Sequence, residues 1–253
     1  MKKLIILMFA VGSLQGCAMT LKLDPVASGK QKEIFQGGIE TLVSAKQSLV
    51  AIRPSSNSYQ SVHRPSLVVS VTNGTDKPYN FGPKNISASI NGKFVKVFTY
   101  DELVAEVKRK RAWAAVAAAL NGVTRSMNAA NAGHTYNSGT YNSSYNGSGY
   151  SGYGRGSYSG YTYNAAAAQQ AQASANAQTQ AEMATIKAQT DQALNQLASR
   201  MLRKETVFPK KTFGGYLTLD KLPVPESANE VIIKISVGGE VHQFTFMLSK
   251  VAK

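Results

Sequence analysis

The hydrophobic positions of this chain follow three different patterns along its length. Leu4–Val11 is one unbroken apolar run of eight residues. From Ile34 to Tyr100 the apolar residues gather in short runs closed by turn residues. Ser48-Leu49-Val50-Ala51-Ile52 ends at Pro54-Ser55-Ser56-Asn57, and Leu67-Val68-Val69-Ser70-Val71 ends at Asn73-Gly74. Ile86–Ile90, Asn91-Gly92 and Phe94–Phe98 spell a hairpin, because Asn-Gly accepts the left-handed backbone that a two-residue turn needs. Residues 205–253 resume this language, with Gly214–Leu219 as a strand. Val231–Val237 and Glu240–Phe246 flank Gly238-Gly239 as a closing hairpin. About seven short strands separated by turn signals predict an antiparallel sandwich.

The middle of the chain, 101–204, changes period. It contains none of the chain's eight prolines. Asp101-Glu102 places acids where a helix amino end favours them. Trp113, Val116, Leu120, Val123 and Met127 then recur at spacings of 3 and 4, one stripe of a helix. Ala165–Lys204 is a second helical stretch, mostly Ala and Gln, with Met183, Ile186, Leu194, Leu197 and Met201 as its stripe. Between them, His134–Tyr163 holds 8 Tyr, 7 Gly and 7 Ser and no Val, Leu, Ile, Met or Phe. A segment without aliphatic side chains builds no core, so disorder or a mobile tip is expected. The fold class predicted is mainly β with an α insertion. Residues 34–100 and 205–253 form the sandwich, and 101–204 is a helical hairpin with a low-complexity tip at 134–163.

Charge and cysteine content narrow the chemistry. With 28 Lys+Arg against 14 Asp+Glu the formal net charge is +14. The single cysteine, Cys17, excludes a disulfide framework and any multi-cysteine metal site. Met1-Lys2-Lys3 before the apolar run has the form of an export signal over residues 1–16, its eight apolar residues far fewer than the roughly 20 of a membrane span. Its removal leaves 237 residues and a side-chain charge of +12. Residues 17–33, small and polar with Asp24-Pro25 and Ser28-Gly29, read as a tether.

Leu14-Gln15-Gly16-Cys17 resembles the lipobox of bacterial lipoproteins. The resemblance implies that the thiol of Cys17 carries diacylglycerol and that the chain is cut before it; no cofactor beyond that covalent lipid is expected. In that family an Asp after the cysteine retains the protein at the inner membrane. Here the residue is Ala18, which implies the outer membrane, facing the periplasm. A weaker resemblance lies in Val69-Ser70-Val71-Thr72-Asn73-Gly74-Thr75-Asp76-Lys77-Pro78 with Phe81. This stretch is similar to the strand–Asn–turn of small exported bacterial immunoglobulin-like domains, and it implies fold only.

Catalytic motifs are missing from the sequence. His63, His134 and His242 have no nucleophile motif beside them, and no G-x-S-x-G, H-E-x-x-H or P-loop occurs. Gly37-Gly38 and Gly238-Gly239 precede no helix signal and read as turns. Lys108-Arg109-Lys110-Arg111 wraps around its helix and offers contact with anionic lipid headgroups or another envelope polyanion, or simple solvation, with Glu106–Lys110 as an i,i+4 pair. The Tyr/Gly/Ser tract carries one Arg, too few for a nucleic-acid footprint, so nucleic acid is not expected. Tyr among Ser, Gly and Asn offers an adaptable sticky surface or a spacer. Trp113, Val116 and Leu120 with Ile186, Leu194 and Leu197 are expected to form the seam of the helical hairpin or a docking surface for an envelope protein. The function these features predict is a non-enzymatic outer-membrane lipoprotein, structural in an envelope complex. The rival is a solute- or glycan-binding module using the sandwich loops.

Overall fold

The computed structural model describes residues 19–251. The signal segment 1–16, Cys17 and Ala18 lie outside the described residues. In chain order the strands are β1 (Thr20–Val26), β2 (Lys32–Gln36), β3 (Ile39–Ala45), β4 (Leu49–Pro54), β5 (Tyr59–Gln60), β6 (Ser66–Thr72), β7 (Tyr79–Phe81), β8 (Ile86–Ile90), β9 (Lys93–Val95) and β10 (Val97–Phe98). Helix α1 (Tyr100–Asn131), strands β11 (His134–Gly147) and β12 (Tyr150–Tyr163), and helix α2 (Ala165–Arg200) follow. The chain closes with β13 (Glu205–Val207), β14 (Thr212–Leu219), β15 (Asn229–Val237) and β16 (Glu240–Lys250). Contacts divide it into two units: the residues up to Leu103 with those from Ala198 onward, and Val104–Leu197.

The first unit is built on two six-stranded antiparallel sheets. One runs β5-β1-β16-β15-β8-β9 and the other β10-β14-β6-β4-β3-β2. β13 pairs separately with β7. Period-two burial drives this arrangement: Leu67, Val69 and Val71 on β6, and His242, Phe244, Phe246 and Leu248 on β16, are buried while their neighbours are not. Residues from both sheets, among them Ile52, Leu217, Ile233 and Phe246, belong to one apolar core.

The two hairpins read from sequence form as expected. Asn91 and Gly92 have φ of 47° and 78°, and Gly238 and Gly239 have 55° and 83°, each pair left-handed at both turn positions. The expected strand Phe94–Phe98 is divided. β9 stays in the first sheet beside β8, and after Lys96 the chain enters the second sheet as β10 beside β14.

The tether assigned to residues 17–33 is corrected over Thr20–Val26. That segment is β1, paired with β16 from Leu21↔Lys250 to Val26↔Thr245, with Leu21 and Leu23 in the core. Leu21 and Leu23 alternate with Lys22 and Asp24, so one face of the strand is apolar, and burying it outweighs the loop character of Pro25. β2 then takes Lys32–Gln36 into the second sheet.

Asn73 explains the strand–Asn–turn stretch. It is fully buried; its Nδ2 donates to the carbonyls of Lys77 (2.9 Å) and Val207 (2.8 Å), and its Oδ1 accepts from Thr75 N and Oγ1, both at 2.8 Å. A Cβ on Gly74 would fall 1.8 Å from the backbone oxygen of Gln47, so only glycine fits there.

In the second unit the expected helices are present, and the expected disorder of 134–163 is corrected. These residues form a two-stranded antiparallel hairpin in register from His134↔Tyr163 to Gly147↔Tyr150. Ser148-Gly149 makes the turn, with Gly149 at φ 101°. Cross-strand aromatic packing takes the place of aliphatic residues. The Tyr136 and Tyr161 rings stand 5.2 Å apart, and His134 and Tyr163 5.0 Å apart.

Candidate interaction surface

The seam between α1 and α2 is made of small and polar residues. Ala118, Gly122 and Ala129 of α1 are buried, as are Ala168, Ala175 and Thr190 of α2. A Cβ on Gly122 would lie 3.0 Å from Thr179 Cγ2, so the helices approach through the missing side chain. Arg125 Nη1 donates to Glu182 Oε2 at 2.8 Å, and Gln172 Nε2 to Ser126 Oγ at 3.2 Å.

Because this stripe takes the seam, the bulky stripe of α1 is left outside. Trp113 is 74% exposed and Leu120 64%, with Val116, Val123 and Met127 also exposed. The expectation that Trp113, Val116 and Leu120 join Ile186, Leu194 and Leu197 in one seam is therefore corrected. The three α2 residues are half-buried and the three α1 residues face solvent. Ala118, Gly122 and Ala129 recur at spacings of 4 and 7, matching the helix repeat as well as the large residues do. Small side chains allow the closer backbone approach.

The outward stripe sets successive large side chains 3 and 4 positions apart, the spacing with which one helix docks along another. Val123 and Met127 also form one wall of an open groove of about 610 Å³, whose floor includes Gly122 and Thr179. An exposed row of Trp, Val, Leu and Met on a helix is costly in water and is stabilised when another surface covers it. Lys108, Arg109, Lys110 and Arg111 are all exposed one turn before the stripe, and Lys110 pairs with Glu106 at 2.9 Å.

The strand glycines of the hairpin gather on one face and most of its strand serines on the other, while each face carries four of the eight tyrosines. With residues alternating along strands in this register, Gly139, Gly147, Gly152, Gly154, Gly156 and Gly160 fall on one face, together with Tyr141, Tyr145, Tyr150 and Tyr158. Tyr141 faces Gly156, Tyr145 faces Gly152 and Tyr158 faces Gly139. The other face carries Arg155, hydrogen-bonded to Asn142 Oδ1 at 3.1 Å, and all the strand serines except Ser143.

The first unit offers two further clusters. His242 is buried; its Nδ1 is 2.9 Å from Ser44 Oγ, and its Nε2 is 3.7 Å from Glu240 Oε2 without a hydrogen bond. Burial, then the nearby Lys46 ammonium, holds the imidazole pKa below 6.5. Burial pushes the Glu240 carboxyl up, but the backbone N–H groups of Ser48 and Gln47 outweigh it and leave the pKa lowered. Ser44 is 8% exposed, so this Ser–His–Glu arrangement gives a substrate no approach to the hydroxyl; it ties β3 to β16.

The second cluster lines a cleft of about 420 Å³ with Lys84, Tyr100, Asp101, Arg203 and Lys204 in its walls. The Arg203 guanidinium stands 4.3 Å over the Tyr100 ring. Sequence reading missed this cleft, since Lys84, Tyr100 and Arg203 are distant in the chain and carry no motif. Among the described residues no three His, Cys, Asp or Glu side chains gather to hold a metal ion, and no helix is long and apolar enough to cross a membrane. Compared with known protein families, curated proteins and solved structures, the chain matches none.

Proposed function

We propose that the chain is a non-enzymatic, lipid-anchored component of a bacterial cell-envelope assembly that works through Val104–Leu197. The observation that carries this reading is the α1 stripe. Trp113, Val116, Leu120, Val123 and Met127 are held outward on a helix whose seam is already filled by small residues. Such a row is a recognition surface for a partner protein, with large apolar anchors flanked by the basic collar of Lys108–Arg111. In this reading Cys17 carries the acyl chains, Ala18 directs the protein to the outer membrane on its periplasmic side, and the collar meets anionic headgroups or an acidic rim of the partner. The antiparallel sheets closing over one core support an immunoglobulin-like sandwich as the body of the protein.

The test is replacement of Trp113 and Leu120 by Asp in cells, followed by purification of the tagged chain. Both side chains are exposed, so the fold is kept while a stoichiometric partner is lost. Retention of the partner by the double variant would refute the reading. The cleft beside Tyr100 favours one alternative, a solute- or glycan-binding body. There a ligand would stack on Tyr100 and meet Arg203 and Lys204, and binding would survive the stripe substitutions.

A further inference from the structure

The hairpin β11–β12 has two open edges. Among the described residues it pairs with no other strand, so each 14-residue strand turns alternate N–H and C=O groups to water along its outer side. A lone two-stranded hairpin is marginal in water. Proteins guard such edges with lysine, proline or bulges, and 134–163 contains no lysine and no proline. Its one charged side chain, Arg155, is engaged by Asn142 within the hairpin.

A strand that completes such an edge must be as long and nearly free of charge. It must also carry tyrosine among small and polar side chains on both faces so that both faces continue. The opposite edge of a second copy of this chain meets all three conditions. β12 of one copy set against the β11 of the next continues the antiparallel order and leaves a matching free edge at each end. Although the chain carries +14 overall, one arginine per hairpin puts little like-charge repulsion in the way.

We propose that the hairpin is a self-assembly element, by which copies of this chain join edge to edge, β12 to β11, into one continuous antiparallel sheet. The contact is head-to-tail, so it closes into a ring or grows as a row. The proposal rests on the reading of Val104–Leu197 as the working part of the chain.

The experiment is sedimentation of the full lipidated chain in detergent, native and as the double variant Ser138→Lys/Ser151→Lys. These positions lie on different strands, one on each open edge, and do not face each other within a hairpin, and a lysine on an edge disfavours strand addition there. Ser148→Lys, at the turn, adds charge away from the edges and serves as control; circular dichroism establishes that all three fold. The native chain and the control should sediment as multimers, with association weakened at least about tenfold in the double variant. A monomeric native chain, a multimer indifferent to the edge lysines, or equal loss in the control would overturn the proposal. Photocrosslinking from Trp113 in intact cells is read separately. A monomeric chain that still crosslinks a partner through Trp113 sinks only self-assembly, whereas a multimer without stripe adducts supports self-assembly and sinks only the partner reading.

Discussion

The Tyr141 ring covers Gly156 of the facing strand: a Cβ on that glycine would come within 2.4 Å of the ring. The same relation joins Tyr158 to Gly139, at 2.8 Å. Glycine weakens a strand because it packs nothing, and here a cross-strand ring covers the exposed backbone, so Tyr and Gly together do what aliphatic pairs do elsewhere.

Gly156→Val therefore displaces the Tyr141 ring although valine favours strands. The loss is about 0.2–1 kcal/mol of cross-strand packing. It should appear as faster amide exchange over 134–163 with unchanged melting of the two-sheet unit. Unchanged exchange would show that the ring does not hold the hairpin.

Trp113 is the only tryptophan of the chain, which makes its environment directly readable. At 74% exposure it should emit as a solvated indole and be quenched freely by acrylamide in dilute protein. A protected, blue-shifted emission from the isolated chain would place the stripe in a covered seam.

The seam itself is tested at Gly122. Gly122→Leu overpacks against Thr179 and should destabilise the helix pair by about 1–3 kcal/mol, seen as an earlier loss of helical circular dichroism. Val123→Ala, one residue away on the outward stripe, should stay within about 0.5 kcal/mol. For Arg125 and Glu182, each about one-third exposed, a double-mutant cycle should return only about 0.2–1 kcal/mol.

His242 should make stability fall in mild acid. Its folded pKa is depressed by burial and by Lys46, with Glu240 pulling in the opposite direction. The neutral ring's contribution is thus complete above the unfolded value near 6.5 and is lost as pH falls through the folded value. Urea midpoints at pH 7.5 and pH 5 should differ more for the native chain than for His242→Gln. Ser44→Ala, which removes the hydroxyl partner of Nδ1, should cost about 1–3 kcal/mol at pH 7.5. Equal pH sensitivity in the native chain and His242→Gln would remove His242 as the cause.

Much of the fold is legible in local chemistry. Asn91-Gly92 and Gly238-Gly239 announce their hairpins because few other residues tolerate two successive left-handed positions. α1 begins where Thr99 and Glu102 cap each other, Glu102 Oε2 accepting from Thr99 N at 2.9 Å while Thr99 Oγ1 accepts from Glu102 N at 3.3 Å. The Lys96 ammonium and the Thr99 N–H hold that carboxyl at about 2. The direction of the α1 stripe is not legible, because Ala118, Gly122 and Ala129 share the helical period and only the neighbouring helix decides which stripe it meets. β1 is visible as Leu21-Lys22-Leu23-Asp24 alternation, masked by the turn-like Asp24-Pro25. The 134–163 hairpin is hidden for a different reason. Its order comes from Tyr–Gly pairs across the strands, and those pairs appear only when the turn is set at Ser148-Gly149. The cleft at Tyr100 depends on tertiary contacts alone.

That the outward stripe of α1 meets another protein is tested most directly by photocrosslinking in intact cells. A photoreactive residue would replace Trp113, Val116 or Leu120 in turn, with Asn121 and Asn128, exposed on the same helix off the stripe, as references. One discrete adduct is expected, the same at all three stripe positions and missing from both reference positions. Adducts that scatter over abundant bystanders, or that form equally from the references, would contradict it.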